Sequence, residues 1–273
     1  MKTYRKLLIV AGGLLAGAFN QATYAEGSSA AELAKASQNP IANMISVPFQ
    51  NNTNYNVGPE GKTQNILNIQ PVLPFSLNED WNLITRTIIP LISQPGFAPG
   101  QDRTNGLGDV QFSTFFSPKE PTTGGWIWGV GTIAELDTAS DEQLGSGKWS
   151  LGPTAVALKA TGHWVVGALI NNLWDVAGSD ANADVNKMLV QPFINYNFPD
   201  KPGRYLTTAP IITANWEADS GEKWTVPIGG GIGQIIPGRT PVNVQASAYY
   251  NVEKPDNAGW WQVRLQVQLL FPK

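Results

Sequence analysis

Cysteine is missing from this chain, and histidine occurs once, as His163. Without thiols there is no disulfide framework, no thiolate metal site and no cysteine nucleophile. With one imidazole, a metal centre built on several histidines is excluded as well. Charge is scarce: Asp, Glu, Lys and Arg make up 14% of the 273 residues, against roughly 25% in an average soluble domain. There is no basic excess, 18 basic residues standing against 21 acidic ones, which argues against a nucleic-acid partner. Nor is there an apolar run of about 20 residues, which excludes a polytopic helical membrane protein. Disorder is disfavoured, because aromatics are plentiful and net charge is small.

The missing charge is not replaced by apolar residues, which reach only 42%, with a mean hydropathy of -0.15. Neutral polar residues take its place, with 28 Gly, 20 Pro and 10 Trp. At the N-terminus, Lys2, Arg5 and Lys6 precede an apolar run from Leu7 to Phe19, and Thr23-Tyr24-Ala25 supplies small residues at the -3 and -1 positions. This is the layout of a secretory signal peptide, residues 1–25. Its loss leaves 15 basic residues of the 18 against 21 acidic, a formal charge of -6. Residues 26–44 hold good helix formers, Ala30-Ala31-Glu32-Leu33-Ala34-Lys35-Ala36, ahead of Asn39-Pro40. They are expected to form an N-terminal helical segment.

From Ile45 onward the chain alternates with period two. Ile45, Val47, Phe49, Thr53, Tyr55 and Val57 share one parity, and Ser46, Gln50, Asn52, Asn54 and Asn56 share the other. Near the end, Trp261, Val263, Leu265, Val267, Leu269 and Phe271 alternate with Gln262, Arg264, Gln266 and Gln268. Successive strand side chains point to opposite faces, so each strand has an apolar and a polar face. The pattern predicts about twelve strands, near 45–57, 63–75, 81–93, 108–117, 126–136, 149–158, 164–174, 186–198, 204–216, 224–235, 242–252 and 260–271. Many match the 9–11 residues that cross a bilayer when tilted. Short turns at 76–80, 199–203 and 236–240 alternate with longer Gly-, Asp-, Asn- and Ser-rich stretches near 94–107, 137–148 and 175–185, as in an outer-membrane barrel. Nine tryptophans, Trp81, Trp126, Trp149, Trp164, Trp174, Trp216, Trp224, Trp260 and Trp261, fall at or near strand ends, where a membrane barrel carries its aromatic girdles. Only Trp128 lies further in.

The expected fold is therefore all-β: an antiparallel transmembrane β-barrel of about 12 strands over residues 45–273, preceded by the short helical segment at 26–44, placed either in the barrel lumen as a plug or in the periplasm. Closure is required because every backbone polar group in hydrocarbon must be paired. A soluble sandwich would show Lys and Glu on its outward face; here the polar face carries amides and hydroxyls.

Several longer segments carry a resemblance. They are Leu33-Ala34-Lys35 to Asn39-Pro40, Ile45-Ser46-Val47-Pro48-Phe49-Gln50-Asn51-Asn52, Leu67-Asn68-Ile69-Gln70-Pro71, Pro74-Phe75-Ser76-Leu77-Asn78-Glu79-Asp80-Trp81-Asn82, Gly106-Leu107-Gly108-Asp109, Leu144-Gly145-Ser146-Gly147-Lys148-Trp149-Ser150-Leu151-Gly152-Pro153 and Ile212-Thr213-Ala214-Asn215-Trp216. Together they resemble a Gram-negative outer-membrane "transporter" family, often labelled neuromedin U, similar to the outer-membrane group named for the MetA pathway of phenol degradation. The resemblance covers nearly all of the mature chain. It implies an outer-membrane β-barrel that moves small molecules, and brings no catalytic residue or cofactor with it. One departure is the C-terminus, where Phe271 is followed by Pro272 and Lys273 rather than ending the chain. The last strand is read as the signal to the barrel assembly machinery, with a two-residue tail. Outer-membrane lipid is the other expected partner.

No catalytic centre is expected. His163 falls in a short turn, and a nucleophile–base pair needs a histidine beside its nucleophile. The acidic groups Asp137/Asp141/Glu142, Asp175/Asp180/Asp184 and Glu217/Asp219/Glu222 lack calcium-loop spacing and read as solvated loops. Gly229-Gly230-Gly231-Ile232-Gly233 sits within a strand, where close backbone approach or lumen space explains it better than phosphate binding.

Parity assigns the lumen. Its predicted lining residues are Asn52, Asn68, Gln70, Arg86, Gln111, Glu135, Gln191, Asn195, Gln245, Arg264 and Gln266, with Gln50, Asn82, Ser113, Asn171, Asn243, Ser247, Gln262 and Gln268 on the same face. Ile84, Ile88, Phe115, Leu169 and Phe193 add apolar surface there. Charges in this set are Arg86, Arg264 and Glu135 alone. Amides donate and accept, so the expected function is passive movement of small, mostly uncharged or weakly polar molecules. The alternative is a structural or closed outer-membrane barrel without conductance, and a barrel-embedded hydrolase is a third reading.

Overall fold

The computed structural model describes residues 29–98 and 100–272; the expected leader at 1–25 lies outside them. A helix, α1 (Ala30–Ser37), comes first. Fifteen strand segments follow: β1 (Ile45–Val57), β2 (Lys62–Ile69), β3 (Val72–Ser76), β4 (Trp81–Gln94), β5 (Thr104–Leu107), β6 (Val110–Pro118), β7 (Trp126–Leu136), β8 (Lys148–Thr161), β9 (Trp164–Gly178), β10 (Asn186–Asn197), β11 (Arg204–Thr208), β12 (Ile212–Asn215), β13 (Trp224–Ile236), β14 (Val242–Glu253) and β15 (Trp261–Phe271). Three pairs, β2 with β3, β5 with β6 and β11 with β12, each form one interrupted stave, giving a closed antiparallel barrel of 12 strands. The seam joins the first and last staves, β1 running along β15 from Ile45↔Phe271 to Tyr55↔Trp261.

Each of the twelve spans expected from alternation corresponds to one stave; two are broken within the expected span, and the third break, between β5 and β6, marks where 104–107, expected as part of a long loop, joins the stave instead. Pro71 and Pro210 lie in two of the breaks, and proline has no N–H for the ladder. Gly108 lies in the third. A further difference concerns Asn56 and Val57. Asn56 has φ 62, a left-handed conformation that asparagine tolerates, and the β1–β2 register shifts between Asn54 and Val57. This bulge turns Val57 inward, where it is buried, and leaves Asn56 exposed. The simple alternation assigned them the opposite way.

Alternate residues along the staves stand on an exposed apolar outer face, among them Val130, Leu151, Ile170, Ile232, Leu265 and Val267. Tryptophans border it at both ends. Trp216 packs edge-on to Trp224 with ring centroids 5.4 Å apart, and Tyr250 stacks on Trp260 at 5.8 Å. At the opposite end Trp128 is edge-on to Trp81 at 5.9 Å, so Trp128 belongs to that aromatic band too.

Helix α1 starts at Ser29 with a reciprocal cap: the Glu32 amide donates to Ser29 Oγ at 3.2 Å, and the Ser29 amide to Glu32 Oε2 at 2.8 Å. The Ser29 N–H holds the Glu32 carboxyl below the usual carboxylate range. This contribution to helix stability is therefore present above that range and fades as pH falls through the lowered value. Leu33 and Ala34 are buried against Tyr205, Ile235 and Leu270, which are inward residues of β11, β13 and β15. Lys35 Nζ donates to the Gly162 carbonyl at 2.8 Å, and Gln38 and Asn197 exchange two amide bonds at 3.0 and 3.1 Å. The helix thus lies within the end of the barrel that carries the short turns and the β1–β15 termini.

Candidate functional site

The interior has two unlike walls. Along β15, β1, β2 and β4, side-chain amides bond to one another across the strands. Gln262 Nε2 donates to Asn54 Oδ1 at 2.9 Å, Asn54 Nδ2 to Gln64 Oε1 at 2.7 Å, and Gln64 to Gln94. One layer on, Asn52 Nδ2 donates to Gln50 at 3.3 Å and Gln50 Nε2 to Gln266 at 2.9 Å. The register explains this: Asn52↔Arg264, Gln50↔Gln266 and Asn54↔Gln262 are directly opposed, where cross-strand side chains meet. Facing them, Ile84, Phe115, Val156, Leu158, Val165, Leu169 and Phe193 of β4, β6, β8, β9 and β10 form one buried apolar cluster, together with Ile41 and Val72. Gly167 allows it: a Cβ there would lie 2.6 Å from the Phe193 ring.

Arg264 joins the amide wall to the broken stave. Its Nε donates to Asn52 Oδ1 at 3.0 Å, Nη2 to Gln262 Oε1 at 3.0 Å, and Nη1 to the Ala209 carbonyl at 2.9 Å. Ala209 sits in the gap between β11 and β12, where Pro210 interrupts the ladder. Its orphaned N–H donates to the Tyr249 hydroxyl at 3.2 Å, and the Tyr249 ring lies 4.8 Å from the guanidinium carbon. Both backbone groups of Ala209 are thus satisfied by side chains from across the interior, as buried polar groups require. Tyr249→Phe removes one of those bonds. It should lower thermal stability by about 1 kcal/mol, read as a reduced unfolding temperature of the folded barrel.

Two cavities flank this bar. The larger, about 480 Å³, opens toward the long loops and is bordered by Asn52, Asn54, Gln64, Asn68, Gln262 and Arg264 together with Val57, Ile66, Phe97 and Ile211. The smaller, about 140 Å³, lies toward the short turns between α1 and Gln50, Gln70, Arg86, Gln191, Gln266 and Gln268.

The residues predicted to line the lumen fall into four groups. Asn52, Asn68 and Arg264 border the larger cavity, and Gln70, Arg86, Gln191 and Gln266 the smaller, where Arg86 donates to Gln70. Gln111 and Glu135 form a separate cluster: Gln111 Nε2 reaches Glu135 Oε2 at 2.8 Å, and Lys187 Nζ on β10 reaches Oε1 at 2.6 Å. Asn195 and Gln245 border neither cavity; Asn195 is buried opposite Val165, and Gln245 accepts from Tyr205 Oη at 3.3 Å. Lys187, Tyr205 and Tyr249 were not among the predicted residues. Lys187 shares the parity of Gln191 and Asn195, and Tyr249 that of Gln245 and Ser247, so the signal was present in the alternation. Tyr205 sits on the stave that Pro210 disrupts.

The glycine-rich stretch of β13 makes room for an aromatic side chain. A Cβ on Gly233 would lie 2.1 Å from Tyr205 Cζ. Tyr205 is almost fully buried and donates to Asn243 Oδ1 at 2.9 Å. His163 is exposed, and its ring meets Tyr196 edge-on at 6.2 Å. Asp175 and Asp184 both approach Lys148 Nζ at 3.4 Å, and Asp141 caps a turn of 3-10 helix (Glu142–Leu144). Among the described residues, no three His, Asp or Glu side chains gather as a cation site.

A closed 12-stranded barrel with an apolar outer face, aromatic rims and a partly filled polar interior is the architecture of outer-membrane barrel proteins. Solved structures agree on the fold. An outer membrane channel from Pseudomonas putida F1 superposes with a TM-score of 0.64 at 15% identity, over 84% of this chain and 95% of that one. The NanC porin superposes with a TM-score of 0.53 at 9% identity, over 84% of this chain and 100% of that one. No protein-family model matches the sequence, and no curated protein matches it either.

Proposed function

We propose that this protein is a Gram-negative outer-membrane channel for passive movement of small molecules, mostly uncharged or weakly polar, in line with the channel and porin among its structural neighbours. The observation that carries this reading is the pair of cavities, about 480 and 140 Å³, lying in series along an amide-lined wall. The amides supply donors and acceptors to polar groups, and the apolar residues bordering the larger cavity receive a hydrocarbon body. The short-turn end faces the periplasm, with α1 as a plug in that mouth. This reading assigns no catalytic step, and the resemblance to the phenol-degradation outer-membrane group supports movement of small molecules.

A closed barrel without conductance is the second reading, favoured by the hydrogen bonds of Arg264 across the interior and by the seating of α1. Liposome swelling with a panel of sugars, amino acids and small aromatic compounds separates the two. Faster swelling than protein-free liposomes for the small, weakly polar solutes is the expected result. No flux and no conductance in planar bilayers, with a heat-modifiable folded barrel, would establish the closed barrel instead.

A further inference from the structure

Each cavity has a single arginine in its lining and no carboxylate: Arg264 in the larger, Arg86 in the smaller. Among the described residues the ion pairs involve Lys62, Lys148 and Lys187, so neither arginine has an acidic partner. Arg264 is only 2% exposed. A buried charge without a counter-charge is costly, and three neutral oxygens and an aromatic face only partly offset this. Those three bonds engage three of the five guanidinium N–H groups. A planar guanidinium suits a carboxylate, which it binds bidentately. Ile66, Ile211, Phe97 and Val57 border the same cavity, so the space beside the charge accepts an apolar tail.

From this juxtaposition we infer that the larger cavity is a binding site for a small monocarboxylate with an apolar body. Arg264 holds the carboxylate, and Arg86 provides a second station further along the path. This rests on the channel reading only for transit from one station to the next; binding at the first station does not require it. It goes beyond the mostly uncharged solutes of the channel reading by adding molecules whose one strongly polar group is anionic.

The test uses hexanoate and its uncharged analogue hexanamide, titrated calorimetrically into the full-length folded protein in detergent. Hexanoate is expected to bind and hexanamide to bind at least ten-fold more weakly. Arg264→Gln should weaken hexanoate at least ten-fold, with Arg264→Lys recovering part of the loss. If Arg264→Gln does not fold by heat-modifiable migration, Arg264→Lys with an intermediate affinity carries the test. In bilayers, a salt-gradient reversal potential favouring anions should shrink toward zero in Arg86→Gln. No hexanoate binding to the wild type, equal binding of the two compounds, or unchanged affinity in the folded Arg264 variants would overturn the site. Hexanoate binding without conductance would sink the channel reading and leave the site standing. Conductance without hexanoate binding does the reverse.

Discussion

Gly233→Leu is expected to abolish assembly of the barrel, seen as loss of the heat-modifiable species on electrophoresis. Even the first added carbon would lie 2.1 Å from Tyr205 Cζ and 2.3 Å from its hydroxyl. Tyr205 has nowhere to retreat: it is 1% exposed, packed among Leu33, Ala34, Ile235 and Leu270, and bonded to Asn243. Overpacking of this kind costs about 1–3 kcal/mol for extra methylenes in a packed core, and a branched four-carbon side chain adds several at once. Gly233→Ala should fold with reduced stability. In a Tyr205→Ala background most of that cost should vanish, because the clash belongs to the pair. Equal destabilisation in both backgrounds would place the strain in the β13 backbone instead.

Deleting residues 29–42 is expected to raise single-channel conductance several-fold. Helix α1 and the turn after it border the smaller cavity through Ala36, Ser37, Gln38, Asn39, Pro40 and Ala42, so their removal merges that space with the mouth of the barrel. The staves survive, since β1 begins at Ile45 and pairs with β15 from that residue onward. A stability loss accompanies the gain in conductance, because burying one leucine contributes about 1.5–3 kcal/mol and Leu33 is 4% exposed. Unchanged conductance from a folded barrel would mean that the helix stands clear of the path.

Much of this architecture was legible in the sequence because a barrel wall is written residue by residue: period-two alternation specifies both faces of every stave. The amide wall follows from that rule, with Gln50 opposed to Gln266 and Asn52 to Arg264 across β1 and β15. What escaped it are features set by backbone exceptions and by long-range packing. The bulge at Asn56 reverses Val57, a shift of parity that only the left-handed asparagine announces. Tyr205 was hidden because Pro210 breaks the stave after it. The partnership of Lys187 with Glu135 joins residues 52 positions apart, and alternation gives the facing of each without saying which interior residues meet. The gathering of the large apolar inward residues into one cluster depends on how the staves curl round, which no single strand records.

The amide wall has a consequence for the environment in which such a barrel would operate. Side-chain amides neither gain nor lose protons, and the run Gln262–Asn54–Gln64–Gln94 consists of nothing else. A passage lined this way keeps its donors and acceptors unchanged when the surroundings turn acidic or alkaline. A cell surface has no buffer of its own, so it would gain an entry route whose wall responds to the shape and polarity of a solute and not to the acidity of the medium.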